Sequence, residues 1–107
     1  MHQTLIALNA LGETLRRGLH VYFVSGSAAF TNGIRRLLGR RLEGLVRFTD
    51  YFWKCDENAV DVLIIDEAHR IRDRSRPPVP RALRPQISQL EELIRAARVL
   101  LFFADEN

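Results

Sequence analysis

The sequence predicts an α/β domain built on a parallel sheet, and three observations carry that prediction. Helical periodicities alternate with short apolar runs along the 107 residues, the order that parallel βα units require. The run DVLII, 61 to 65, is apolar on both faces, as a central strand of a parallel sheet is. DVLII and VLLFF, 99 to 103, both exit into acids, which puts Asp66/Glu67 and Asp105/Glu106 on one carboxyl edge. Ligands bind at that edge of such sheets.

Taken in order, residues 4 to 17 form an amphipathic helix, with Leu5, Leu8, Leu11 and Leu15 on one stripe and Gly18 as its stop. HVYFV, 20 to 24, is β-branched and aromatic and reads as a strand. Ser25, Gly26 and Ser27 make a turn that caps a second helix, 28 to 38, whose Phe30, Ile34, Leu37 and Leu38 share a face. A short strand follows around LVRF, 45 to 48, and Thr49 or Asp50 caps a helical piece through Trp53. After the 61 to 65 strand, a polar connection, 70 to 84, holds six arginines and three of the four prolines. Pro85 opens a last helix with Ile87, Leu90, Ile94 and Ala97 as its stripe. VLLFF is expected to be a buried final strand.

The length suits one domain, and 47% hydrophobic with 27% charged residues is a globular composition. No apolar run approaches the roughly 20 residues of a membrane span, and the first residues lack a basic flank and a cleavage site. A cytoplasmic location is expected. Cys55 is alone, so neither an internal disulfide nor a cysteine metal site forms; it reads as a small buried apolar residue. His2, His20 and His69 lack zinc-ligand spacing. Fifteen of the sixteen basic residues are arginines, a bias that suits oxyanions and that a GC-rich coding sequence produces equally well.

The stretch VDVLIIDEAHRIRD, 60 to 73, carries the chemistry. Aliphatics followed by Asp-Glu form the pattern of a Walker B strand, in which a rigid buried strand holds a carboxylate where Mg²⁺ bridges the nucleotide's terminal phosphates. The next acid orients or deprotonates the attacking water. Asp66 takes the first role, as metal ligand, and Glu67 the second; His69 couples nucleotide state to movement. The bland alternative is a pair of acids capping a following helix.

VDVLIIDEAHRIRD, together with TLIALNALGETLRRGLHVYFVSGSAAFTNGIRRLLG upstream and RPQISQLEELIRAARVLLFFADEN downstream, resembles the Schlafen group 3 type of DNA/RNA helicase domain. The resemblance implies a three-layer, RecA-like P-loop ATPase related to superfamily 1 helicases, with ATP and Mg²⁺ as cofactors and DNA or RNA as partner. In that family a fragment like IALN follows the Walker A loop, which aligns the loop's hydroxyl residue with Thr4 and its lysine with Gln3. The third family motif, Asp-x-x-Gln, begins at Asp105. Thr4 and Asp105 are therefore the expected nucleotide-binding residues. Ser25, Gly26 and Ser27 fall near motif Ia, which touches the nucleic-acid backbone; helix capping explains them equally well.

The sequence departs from the family pattern in one respect. A phosphate cradle needs clustered glycines and a lysine, whereas the six glycines here are dispersed and the only lysine is Lys54. The expectation is a piece of a larger ATPase core, missing the first core strand, that binds neither ATP nor Mg²⁺ tightly and self-associates through unpaired sheet edges.

Two other functions compete. One is a non-enzymatic module that binds nucleic acid or protein through its arginine-rich loop, Arg72 and Arg74 above all; without interleaved aromatics that loop also reads as a solvated connection. The other is a metal-dependent nuclease using Asp66, Glu67 and Asp105. Tyr51, Phe52 and Trp53 read as core and rim packing rather than a stacking surface.

Overall fold

A computed structural model of the chain describes residues 2–67, 71 and 88–103. Within them the chain runs α1 (His2–Arg16), β1 (Val21–Ser25), α2 (Ala28–Leu38), β2 (Val46–Arg47), β3 (Val60–Asp66), α3 (Gln89–Ala96) and β4 (Ala97–Phe103). Short 3-10 turns, Glu43–Leu45 and Thr49–Phe52, bracket β2. The four strands form one sheet in the order β2-β1-β3-β4, with every pairing parallel. The expected α/β fold with a central DVLII strand is therefore what the chain forms.

Three layers follow from which side chains each face of the sheet offers. Successive strand residues point to opposite faces. Val62 and Ile64 of β3 pack with Val21 and Phe23 of β1 against Ala7 and Leu11 of α1 and Ile34 of α2. Leu63 and Ile65 face the other way and pack with Val24, Phe52 and Leu93 and Ala96 of α3. Val62 through Ile65 of β3 are all buried, which is why this stretch alternates in direction without alternating in polarity.

Ends of elements are set by local chemistry. Gly18, at φ 73, turns the chain after α1, a conformation that costs a residue with a Cβ more than glycine. Ser27 caps α2 by accepting from the Phe30 amide, and Ser88 caps α3 by accepting from the Glu91 amide. Each cap satisfies an amide that has no intrahelical partner.

Several expectations are corrected. The last strand is an edge rather than buried: Val99 is 50% and Phe102 51% exposed, and among the described residues β4 has a neighbour only on the β3 side. Leu5 and Leu37, placed on apolar stripes, are exposed, while Ala7 and Thr31 are buried in their stead. The third helix starts at Gln89 rather than Pro85, and Ala97 is the first residue of β4. Pro85 and Ile87 lie outside the described residues, as does the 72–84 part of the arginine-rich connection. The LVRF strand contracts to two residues, and the turn after it is entered from Phe48 without a side-chain cap from Thr49 or Asp50. Cys55 is half-buried rather than buried, and its burial, with Asp56 nearby, raises the thiol's pKa.

Candidate functional site

The carboxyl edge of the sheet is where the strand exits converge. Ser25 and Asp66 are paired in register across β1 and β3, and Asp66 and Phe103 across β3 and β4. Backbone bonds tie these exits together: the Gly26 amide donates to the Asp66 carbonyl at 3.1 Å, and the Glu67 amide donates to the Phe103 carbonyl at 3.0 Å. The site is thus held by backbone on three adjacent strands.

Asp66 is the last residue of β3 and only 2% exposed. A carboxylate buried this deeply needs hydrogen-bond donors. It has two. Thr4 of α1 donates its hydroxyl to Oδ2 at 3.1 Å, and the Glu67 amide donates to Oδ1 at 3.1 Å. The Thr4 bond spans 62 positions of sequence and brings the start of α1 to the exit of β3, because α1 lies across the face that Val62 and Ile64 present.

Glu67 stands directly after the strand with φ 52. Left-handed backbone is uncommon for residues other than glycine, asparagine and aspartate, and costs about 1–3 kcal/mol. The single Glu67 amide hydrogen, shared between the Phe103 carbonyl and the Asp66 side chain, holds the residue in that conformation. Asn58, also at positive φ, needs no such support, since asparagine tolerates the region.

The structure brings together Thr4, Asp66, Glu67 and the Ser25–Ser27 turn. Ser25 is buried and its Oγ accepts from the Ser27 amide at 3.1 Å, while Ser27 caps α2. His69, Arg72, Arg74 and Asp105 lie outside the described residues. Among the described residues no group of three His, Cys, Asp or Glu side chains is placed to hold a metal ion, and no helix is long and apolar enough to cross a membrane. Phe52 is a core residue and Trp53 half-buried, as expected of packing residues. Tyr51, by contrast, is exposed and lines a shallow groove beside β2 with Asn32, Arg35, Arg47, Phe48 and Asp50. Sequence reasoning missed that groove; the signal was an arginine and an aromatic, Arg47 and Phe48, at the exit of a short strand.

A parallel α/β domain with a buried carboxylate at the exit of its central strand belongs to the class that binds ligands at the carboxyl edge of the sheet. Within that class the chain belongs to the Schlafen group 3 DNA/RNA helicase domain family, whose family model matches residues 3–107. No significant match links the chain to a curated protein or to a solved structure.

Proposed function

We propose that this chain is the Walker B portion of an ATP-dependent, helicase-like ATPase acting on DNA or RNA, with Asp66 as the magnesium-side carboxylate and Glu67 as the residue that orients the attacking water. The observation that carries the reading is the 3.1 Å bond from Thr4 to Asp66. In P-loop hydrolases the hydroxyl at the end of the phosphate loop and the Walker B aspartate hold the same ion, and the resemblance aligns those two roles with these two residues.

The donor set suits magnesium. A threonine hydroxyl and a carboxylate are hard oxygen ligands, and Mg²⁺ takes one or two from protein and the rest from phosphates and water. Bound there, the ion would neutralise charge on the transferring phosphoryl group. Asp66 holds the Thr4 hydroxyl in place before any ligand arrives. Glu67, one residue beyond, is tied by its shared amide hydrogen to Phe103 and Asp66 and carries its carboxylate at the strand exit. Ser25, Gly26 and Ser27, one strand over, supply hydroxyl and amide donors suited to a nucleic-acid phosphate.

The 107 residues contain no glycine-rich loop ending in lysine, and the chain on its own is therefore expected to be inactive. Calorimetric titration with ATP and Mg²⁺ should register negligible heat, and submicromolar affinity would contradict this part of the proposal. The roles of the carboxylates are tested in a fusion that supplies a glycine-rich loop and lysine ahead of Thr4. That fusion should bind ATP in a Mg²⁺-dependent way. Asp66→Asn should weaken binding at least about tenfold, the loss of one charge-assisted contact, whereas Glu67→Gln should retain binding and lose turnover. ATP binding indifferent to the Asp66 carboxylate sinks the assignment.

A further inference from the structure

The geometry points to a second nucleic-acid contact: we infer that the groove between α2 and the exit of β2 receives one nucleotide of a single strand. A base would lie against Phe48 and Tyr51, with its phosphate between Arg35 and Arg47. The inference takes its class of partner from the helicase-like reading and adds a surface distinct from the Ser25–Ser27 turn.

The groove is built by a two-residue strand. Val46 is fully buried under α2, so Arg47 must point to the opposite face. There its guanidinium lies 4.3 Å from the Tyr51 ring centroid and 5.7 Å from that of Tyr22. Stacking of this kind orients the guanidinium fork. The Arg47 Nε is buried without a hydrogen-bond partner. Arg35 is steadied from the other wall, where it donates to the Val46 carbonyl.

Two oriented cations sit beside two aromatics that stay in water: Phe48 is 39% and Tyr51 44% exposed. The one acid lining the groove, Asp50, accepts from the Gln89 side chain at 2.6 Å. Guanidinium groups paired with exposed rings match the alternation of phosphate and base in a single strand. An acidic peptide would use the arginines and leave the rings without a role. The position agrees: Val24 and Arg47 are register partners, so the groove opens one strand spacing, about 4.8 Å, from the Ser25 exit.

The test is fluorescence anisotropy of the whole chain with short labelled oligothymidylate and oligouridylate across a salt series. Phe48→Ala should weaken binding by about tenfold, within the range for losing one stacked base, and leave the salt slope unchanged. Arg35→Gln should weaken binding and reduce the slope of log K against log salt by about 0.7, the signature of one lost phosphate contact. Asn32→Glu, on an exposed helical position, should weaken binding with no change in circular dichroism. Parent-like binding by both Phe48→Ala and Asn32→Glu overturns the inference, as does failure of the parent chain to retain either oligomer at low salt. Sensitivity to Ser25→Ala with indifference to the groove variants removes the groove and leaves the helicase-like reading intact. Failure of the ATP-binding fusion removes the nucleotide site and leaves the groove to stand on its own data.

Discussion

β3 and β4 are both seven residues long and similarly rich in aliphatic side chains, VDVLIID against ARVLLFF, yet they meet opposite fates. β3 has a strand on each side and a helical layer over each face, and every residue but Asp61 is buried. Among the described residues β4 has one neighbour, and within it only Ala97 is buried. Burial is thus a property of position in the sheet and not of the strand's own sequence. The functional consequence follows directly. β3 is clamped along its length and can hold a carboxylate in a fixed place, whereas no described strand pairs with the outer side of β4, and an unpaired strand edge is the surface on which sheets associate.

The largest effect that sharpens this contrast is on stability. Leu63→Ala in β3 should cost about 2–5 kcal/mol in urea unfolding, the range for emptying a well-packed core site. Val99→Ala in β4 should stay within about 0.5 kcal/mol, as at exposed sites. Equal costs would mean that the β4 edge is covered in solution.

A smaller loss is expected where β3 ends. Thr4→Val removes the donor to Asp66 and should cost about 1.5–3 kcal/mol, typical of a hydrogen bond to a charged group, while Thr4→Ser should recover most of it. Should valine be tolerated without loss, the bond between α1 and the exit of β3 contributes nothing to folding.

The β4 edge itself is probed by association. The parent should show an apparent mass that rises with concentration in light scattering, and Val99→Lys with Leu101→Lys should hold the chain monomeric, since lysine on an open edge blocks strand addition. An unchanged mass profile for the double variant would place the contact elsewhere.

The smallest expected effect concerns Cys55, packed beside the β3 core. Its thiol pKa is raised by burial, and secondarily by Asp56, so the folded state favours the neutral thiol. That contribution is complete below the unfolded thiol's pKa and fades as pH rises past it towards the folded value. Alkylation in the folded chain should therefore lag behind that of the urea-unfolded chain at mildly alkaline pH, because the thiolate is the reactive form. Equal rates would show Cys55 to be free of its packing.

The sequence alone was enough for the alternation of helices and strands, the central place of the 61 to 65 run, the Ser27 cap, and Asp66 with Glu67 at a strand exit. These rest on periodicity and on residue chemistry within a few positions, which the chain carries locally. What it could not disclose was the company each element keeps. Leu5 and Leu37 obey the same helical spacing as Leu11 and Ile34, and only the packed structure shows which of them meet the sheet. VLLFF is as apolar as a buried strand, yet it lies at the rim because the sheet order puts nothing beyond it among the described residues. The groove at Arg47 and Tyr51 is likewise tertiary, since α2 supplies one wall and the β2 exit the other. Local sequence fixes which conformations a segment favours. Long-range pairing decides which surfaces remain in water, and with them where a partner can bind.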